Sequence, residues 1–243
     1  MDREPEDILN RATNLCQDEQ EHEAEKLVKE ALLHDPTNPS LLTKLGIIQA
    51  RLCKDDEAEI TFRLVLEINP NHEEALCSLG RLLDQSLRTE EAENLYRTYL
   101  SRNPSSHCAM DDFCHLLFSE ERTEEALNLA KTHAALFPKE LDAYDALRYT
   151  LVMIEELLSG KLDDNRESKE ATFQLLDNLV EQLMLIKHIQ ETLEITPKIE
   201  HELLDEKSRL AGEIQYVFDS AKSHNISIPE EIVTKIDTMI SIS

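Results

Sequence analysis

Four prolines, Pro36, Pro70, Pro104 and Pro138, stand 34 residues apart, and this spacing constrains the chain more than any other feature. Proline has a fixed φ and no amide hydrogen, so each one stops a helix at the same phase of a repeating unit. Two further registers keep the period. Ala24, Ala58, Ala92 and Ala126 form one, and Ala12, Gly46, Gly80 and Cys114, all small, form the other. Short stretches of text return as well: Thr89-Glu90-Glu91-Ala92 recurs as Thr123-Glu124-Glu125-Ala126, and Asn69-Pro70 as Asn103-Pro104. Small residues at a helix crossing let two backbones approach while larger ones fill the ridges around them. A hairpin of that size leaves one face uncovered and gains stability by stacking on its neighbours.

In these residues the chain resembles the tetratricopeptide-repeat family, whose unit is a 34-residue helix-turn-helix with large, small, alanine and proline positions at fixed offsets. The first unit carries Ile8, Ala12, Leu15, Ala24, Val28, Ala31 and Pro36, and the second Leu42, Gly46, Ala58, Phe62, Val65 and Pro70. Leu76, Gly80, Leu83, Ala92, Tyr96, Tyr99 and Pro104 make the third. The fourth has Met110, Cys114, Leu117, Ala126, Ala130 and Pro138, with His133 where a small residue is usual. A fifth hairpin starts with Tyr144 and then loses register, since Gly160 and Thr172 fall where Ala and Pro belong. The resemblance implies an all-α, right-handed helical solenoid of about four regular repeats and an irregular fifth.

The expected division is repeats over 1–159, a charged loop over 160–170 and C-terminal helices over 171–243. The loop is read from GKLDDNRESKE, which is almost free of apolar residues. Beyond it, Leu176, Leu179, Leu183, Ile186 and Leu193 form one helical seam, and Leu203, Leu210, Ile214, Val217 and Ala221 a second. Between them, Thr196-Pro197 reads as an N-cap followed by a first-turn proline. A last short helix from near Pro229 is expected to bury Ile232, Ile236 and Ile240.

Charge and composition exclude several functions. Fifty acidic residues against 25 basic ones give a formal net charge of -25, which repels phosphate backbones and anionic lipid. Neither a nucleic acid nor a membrane is an expected partner. The opening MDREPED has no basic, apolar leader, and no aliphatic run exceeds the four residues of Leu151 to Ile154, so a cytoplasmic chain is expected. Five cysteines without a CxxC spacing suit reduced thiols. Four glycines and no Gly-rich phosphate motif argue against nucleotide chemistry of that kind.

No catalytic constellation stands out, and no cofactor is expected. His22-Glu23 and His201-Glu202 are halves of a zinc-protease motif whose second ligand is missing, Lys26 and Asp205 standing in its place. On the first helix of the fourth unit, Cys108, Asp111 and His115 share a face, with Cys77 of the preceding unit within reach. Cys114 sits at the small crossing position, where cysteine acts as a compact hydrophobe. The reading of this cluster is structural, without metal.

The resemblance further implies that the first helices line a concave groove for a polypeptide. Carried over residue by residue, the partner-binding set is Lys44, Arg51, Arg81, Asp111, Asp112, Phe118, Asp142, Asp145 and Tyr149. It is mixed early and acidic with aromatics late, which suits a basic or amphipathic protein segment. The clamp with which some family members hold acidic chaperone tails is missing: its offsets carry Leu9, Thr13, Lys44, Glu74 and Ser78, and one unit on, Thr43, Ile47, Ser78, Cys108 and Asp112. The sequence therefore points to a non-catalytic, monomeric interaction scaffold. The alternative is an assembly subunit that dimerises through the Leu176 to Leu193 seam.

Overall fold

In a computed structural model, residues 5–164 and 168–240 are described, and every regular element among them is helical. The first six helices pair as hairpins: α1 (Pro5–Gln17) with α2 (Glu21–Leu32), α3 (Pro39–Arg51) with α4 (Asp55–Ile68), and α5 (Glu73–Gln85) with α6 (Thr89–Leu100). Next come α7 (His107–Ser119), α8 (Thr123–Leu136), a 3-10 turn (Leu141–Tyr144), α9 (Asp145–Asp164), α10 (Lys169–Thr192), α11 (Pro197–Ser223) and α12 (Glu230–Ile240). The contacts divide the chain into two compact units, Met1–Leu116 and Leu117–Ser243, with the boundary inside α7.

The period seen in the prolines reappears in the backbone. Glu19, Cys53, Leu87 and Glu121, each 34 residues from the next, are left-handed, with φ between 56° and 60°. Each ends a first helix, and the following amide reaches back five residues: Gln20 to the Leu15 carbonyl, Lys54 to Gln49, Arg88 to Leu83 and Arg122 to Leu117, at 2.8 to 2.9 Å. This bond belongs to the Schellman closure, which satisfies helix-end carbonyls. Here it is built without glycine.

The small register explains how closely each pair packs. A Cβ added at Gly46 would lie 2.5 Å from Phe62 Cε1, and one at Gly80 would run into the Tyr96 ring. Phe62 and Tyr96 are both 1% exposed, so the rings have nowhere to retreat. Between hairpins, Lys54 Nζ donates to Glu25 at 2.7 Å and, 34 residues on, Arg88 donates to Glu59 at 2.6 Å. Both carboxylates lie below the ordinary carboxylate range, Glu25 held there by Lys29 and then Lys54, Glu59 by Arg88 and then Arg63. Glu25 is buried, whereas the Arg88–Glu59 pair is partly exposed and sets register more than it adds stability.

Beyond α8 the second unit departs from the repeat. The helix α9 continues through Gly160–Asp164, where the composition suggests a loop, because Leu158 and Leu162 keep an apolar face one turn apart and are both buried. Lys169 and Glu170 likewise belong to α10, whose cap is Ser168, and the rest of the expected loop, 165–167, lies outside the described residues. Both seams form. Leu176, Leu179, Leu183 and Ile186 are at most 2% exposed, as are Leu203, Leu210, Ile214, Val217 and Ala221. The helix α10 packs on α9, α11 and α12, and Ile232 and Ile236 are buried on α12, whereas the side chain of Ile240 lies outside the described residues.

The hairpin geometry sets the sign of glycine substitutions. Gly80→Ala overpacks the crossing and lowers stability by roughly 1–3 kcal/mol. Gly212→Ala, on an open face of α11 with nothing within 4 Å, raises it by about 0.5–1 kcal/mol. Urea titrations read both signs. Leu87 is 90% exposed with φ 59°, so Leu87→Gly removes left-handed strain and loses little packing. A net gain of about 0.5–1 kcal/mol is expected in the same titration.

Candidate functional site

The first-helix residues taken for partner binding fall in both units. In the first, Lys44 is half-buried on α3. Arg51 is committed elsewhere: its guanidinium pairs with Glu21 at 2.7 Å and donates to the Cys16 carbonyl at 2.8 Å. Arg81 Nη1 and Asp112 Oδ2 are brought together at 2.7 Å, joining α5 to α7, and Asp111 is half-buried beside them in sequence. In the second unit Phe118 is half-buried and Asp142 exposed. Asp145 lies 3.5 Å from Arg148, and Tyr149 is 37% exposed, its ionisation pushed up by burial. Arg51, Arg81, Asp112 and Asp145 thus meet partners within the chain.

Around Asp112 a compact polar cluster forms. The sulfurs of Cys77 and Cys108 are 3.2 Å apart, and the ligand atoms of Cys77, Cys108 and Asp112 all lie within 4.8 Å of one another. The carboxylate in this group is Asp112, not the Asp111 that shares the Cys108 face by spacing alone. Beneath it, Tyr96 Oη is 3.5 Å from both Asp112 and the Cys77 carbonyl, and burial pushes the phenol up. The Tyr96 ring stacks on Phe113 at 6.0 Å, and the Arg97 guanidinium covers Phe113 at 4.9 Å. Three donors is a count that a soft divalent ion accepts, but the Arg81 cation already neutralises the trio's carboxylate and would repel a second positive charge. The trio is a thiol pair flanked by an ion pair.

A cleft that sequence reasoning missed opens in the second unit, with a volume of about 980 Å³. Its apolar floor is Leu127 of α8 with Ile154, Leu157 and Leu158 of α9, and Leu157 is 38% exposed. Its rim carries Glu121, Glu124, Glu125, Asp177 and Glu181 against Arg122 and Lys161. No repeat register marks it, because it arises where α9 and α10 outgrow the 34-residue unit. The cleft side of α10 is fixed from below by a buried network. Glu155, 7% exposed, accepts from Gln182 Nε2 at 2.7 Å and from Arg209 Nη1 at 2.7 Å, and Asn178 accepts from Gln182 at 2.9 Å. This ties α9, α10 and α11 together.

No family model and no curated protein matches the chain. Solved structures do. TTC0263, a thermophilic TPR protein in Thermus thermophilus, superposes with a TM-score of 0.52 at 14% identity, over 84% of this chain and 97% of that one. PilF of Pseudomonas aeruginosa gives 0.53 at 13% identity, over 90% and 94%. At such identities the likeness is one of fold. The chain has the all-α solenoid fold of tetratricopeptide-repeat proteins. Among the described residues no helix is long and apolar enough to cross a membrane.

The network yields a prediction. Arg209→Ala leaves the buried Glu155 carboxylate short of its cationic partner and lowers the stability of the chain by about 1–3 kcal/mol in urea titration, although Arg209 itself stands at the surface.

Proposed function

We propose that the protein is a non-catalytic repeat scaffold that binds a basic, amphipathic segment of another polypeptide, and that the α8–α9–α10 cleft receives it. The observation that carries this reading is the pairing of an apolar floor with an acidic rim in one cleft. Buried apolar anchors supply most of the affinity at such surfaces, while rim charges steer encounter and set salt dependence. A helix with leucines on one face and lysines on the other fits both layers.

The first-helix set from Lys44 to Tyr149 is the competing surface. Several of its charges are engaged inside the chain, as are Glu125 with Arg122 and Glu181 with Lys131 at the cleft, so the cleft is favoured by its apolar floor. The buried Leu176, Leu179, Leu183 and Ile186 seam supports α10–α12 as a cap that completes the second unit, and a monomer, over self-association through that seam.

A designed amphipathic peptide of leucine and lysine serves as the probe, with a glutamate counterpart as control. Titration calorimetry should detect the lysine peptide alone. Leu157→Ser should weaken it more than about fivefold, the loss of one anchor worth over about 1 kcal/mol. Glu124→Gln with Asp177→Asn should weaken it more at low salt than at high. Binding indifferent to these changes but lost in Tyr149→Ala would move the site to the first-helix surface.

A further inference from the structure

Cys77 and Cys108 are 31 residues apart in sequence, yet α5 and α7 set their sulfurs 3.2 Å from each other. That is closer than the separation of two thiols in ordinary contact and about an ångström beyond a covalent S–S bond of about 2.05 Å. The two cysteines differ in access: Cys77 is 1% exposed and Cys108 is exposed. One turn along each helix, Arg81 follows Cys77 and Asp112 follows Cys108, and their ion pair brackets the sulfurs. Cys53 is also exposed, but it stands in the turn between α3 and α4, and among the described residues no second thiol is paired with it.

We propose that Cys77 and Cys108 form a thiol–disulfide exchange site whose substrate is a low-molecular-weight disulfide of the glutathione class. Cys108 is the attacking sulfur, because it alone of the two meets solvent and its hydrogen bond with Cys77 holds it below the ordinary thiol range. Cys77 is the resolving sulfur, kept protonated by its hydrogen bond to Cys108 and by burial. In the first step the Cys108 thiolate attacks one sulfur of the disulfide, forming a mixed disulfide and expelling one thiolate. In the second, Cys77 loses its proton to the departing thiolate and its sulfur attacks Cys108 Sγ. The Cys77–Cys108 bond forms, and the second half of the substrate leaves as thiol. The first expelled thiolate takes up the proton that Cys108 gave up on ionising, so the protein loses two protons and two electrons in all, and the small disulfide gains them as two thiols. The new bond staples the third hairpin to the first helix of the fourth.

The full chain, reduced and then treated with oxidised glutathione, is quenched in acid, alkylated and mapped by mass spectrometry. The expected product has lost two hydrogens, contains a linked Cys77–Cys108 peptide, carries no lasting glutathione at Cys108, and reverts with dithiothreitol. Cys77→Ser should trap glutathione on Cys108, and Cys108→Ser should leave Cys77 unmodified. Within the wild-type chain, where no variant has to fold, Cys108 should react with iodoacetamide faster than Cys53. A stable glutathione adduct at wild-type Cys108, equal reactivity of Cys53 and Cys108, or a stoichiometric zinc ion that protects Cys77 and Cys108 from alkylation would each overturn the proposal.

Discussion

The helix crossing within each hairpin is the constraint on which the rest of the first unit depends. At Gly46 and Gly80 a hydrogen in place of a methyl leaves room for the Phe62 and Tyr96 rings to come up against the opposing backbone. That approach fixes the distance between the two helices, and the left-handed residue at Cys53 or Leu87 fixes the turn between them. With both set, the face that each hairpin offers its neighbour is determined. The charged links then fall into step, Lys54 to Glu25 and Arg88 to Glu59, as a consequence of the geometry and not its cause.

The second unit solves the same problem by other means. Where the small-residue register ends, longer helices bury apolar seams, and one buried polar network takes over the job of fixing register. Glu155, Gln182 and Arg209 come from three different helices, and the geometry satisfies the carboxylate only when all three are in place. A buried carboxylate lacking its partners is costly, so the arrangement selects one packing of α9, α10 and α11. The acidic-rimmed cleft is a by-product of this change in helix length. A regular hairpin has no overhang on which to build one.

Function in a molecule of this kind resides in surface chemistry grafted onto a generic stack. The first-helix positions are well placed by the repeat, but a guanidinium there can be drawn inward, as Arg51 is toward Glu21 and the Cys16 carbonyl. The thiol pair shows the converse. Cys77 occupies a core position and Cys108 a surface one, and the stacking of α5 against α7 makes them neighbours with unequal exposure. That inequality is what chemistry between them requires.

The sequence by itself determined the hairpins, their period and the apolar seams of α10 and α11, because these depend on local rules: where a proline stops a helix, where a small residue allows a crossing, and how apolar residues recur along one face. Tertiary structure alone decided the rest. Whether Gly160–Asp164 is loop or helix turned on the burial of Leu158 and Leu162, which outweighed a charged composition. Which carboxylate joins Cys108, and whether Arg51 is free for a partner, turned on distances across separate helices. Spacing along one helix carries no information about those distances, since side chains at one helical phase can meet quite different neighbours once hairpins stack.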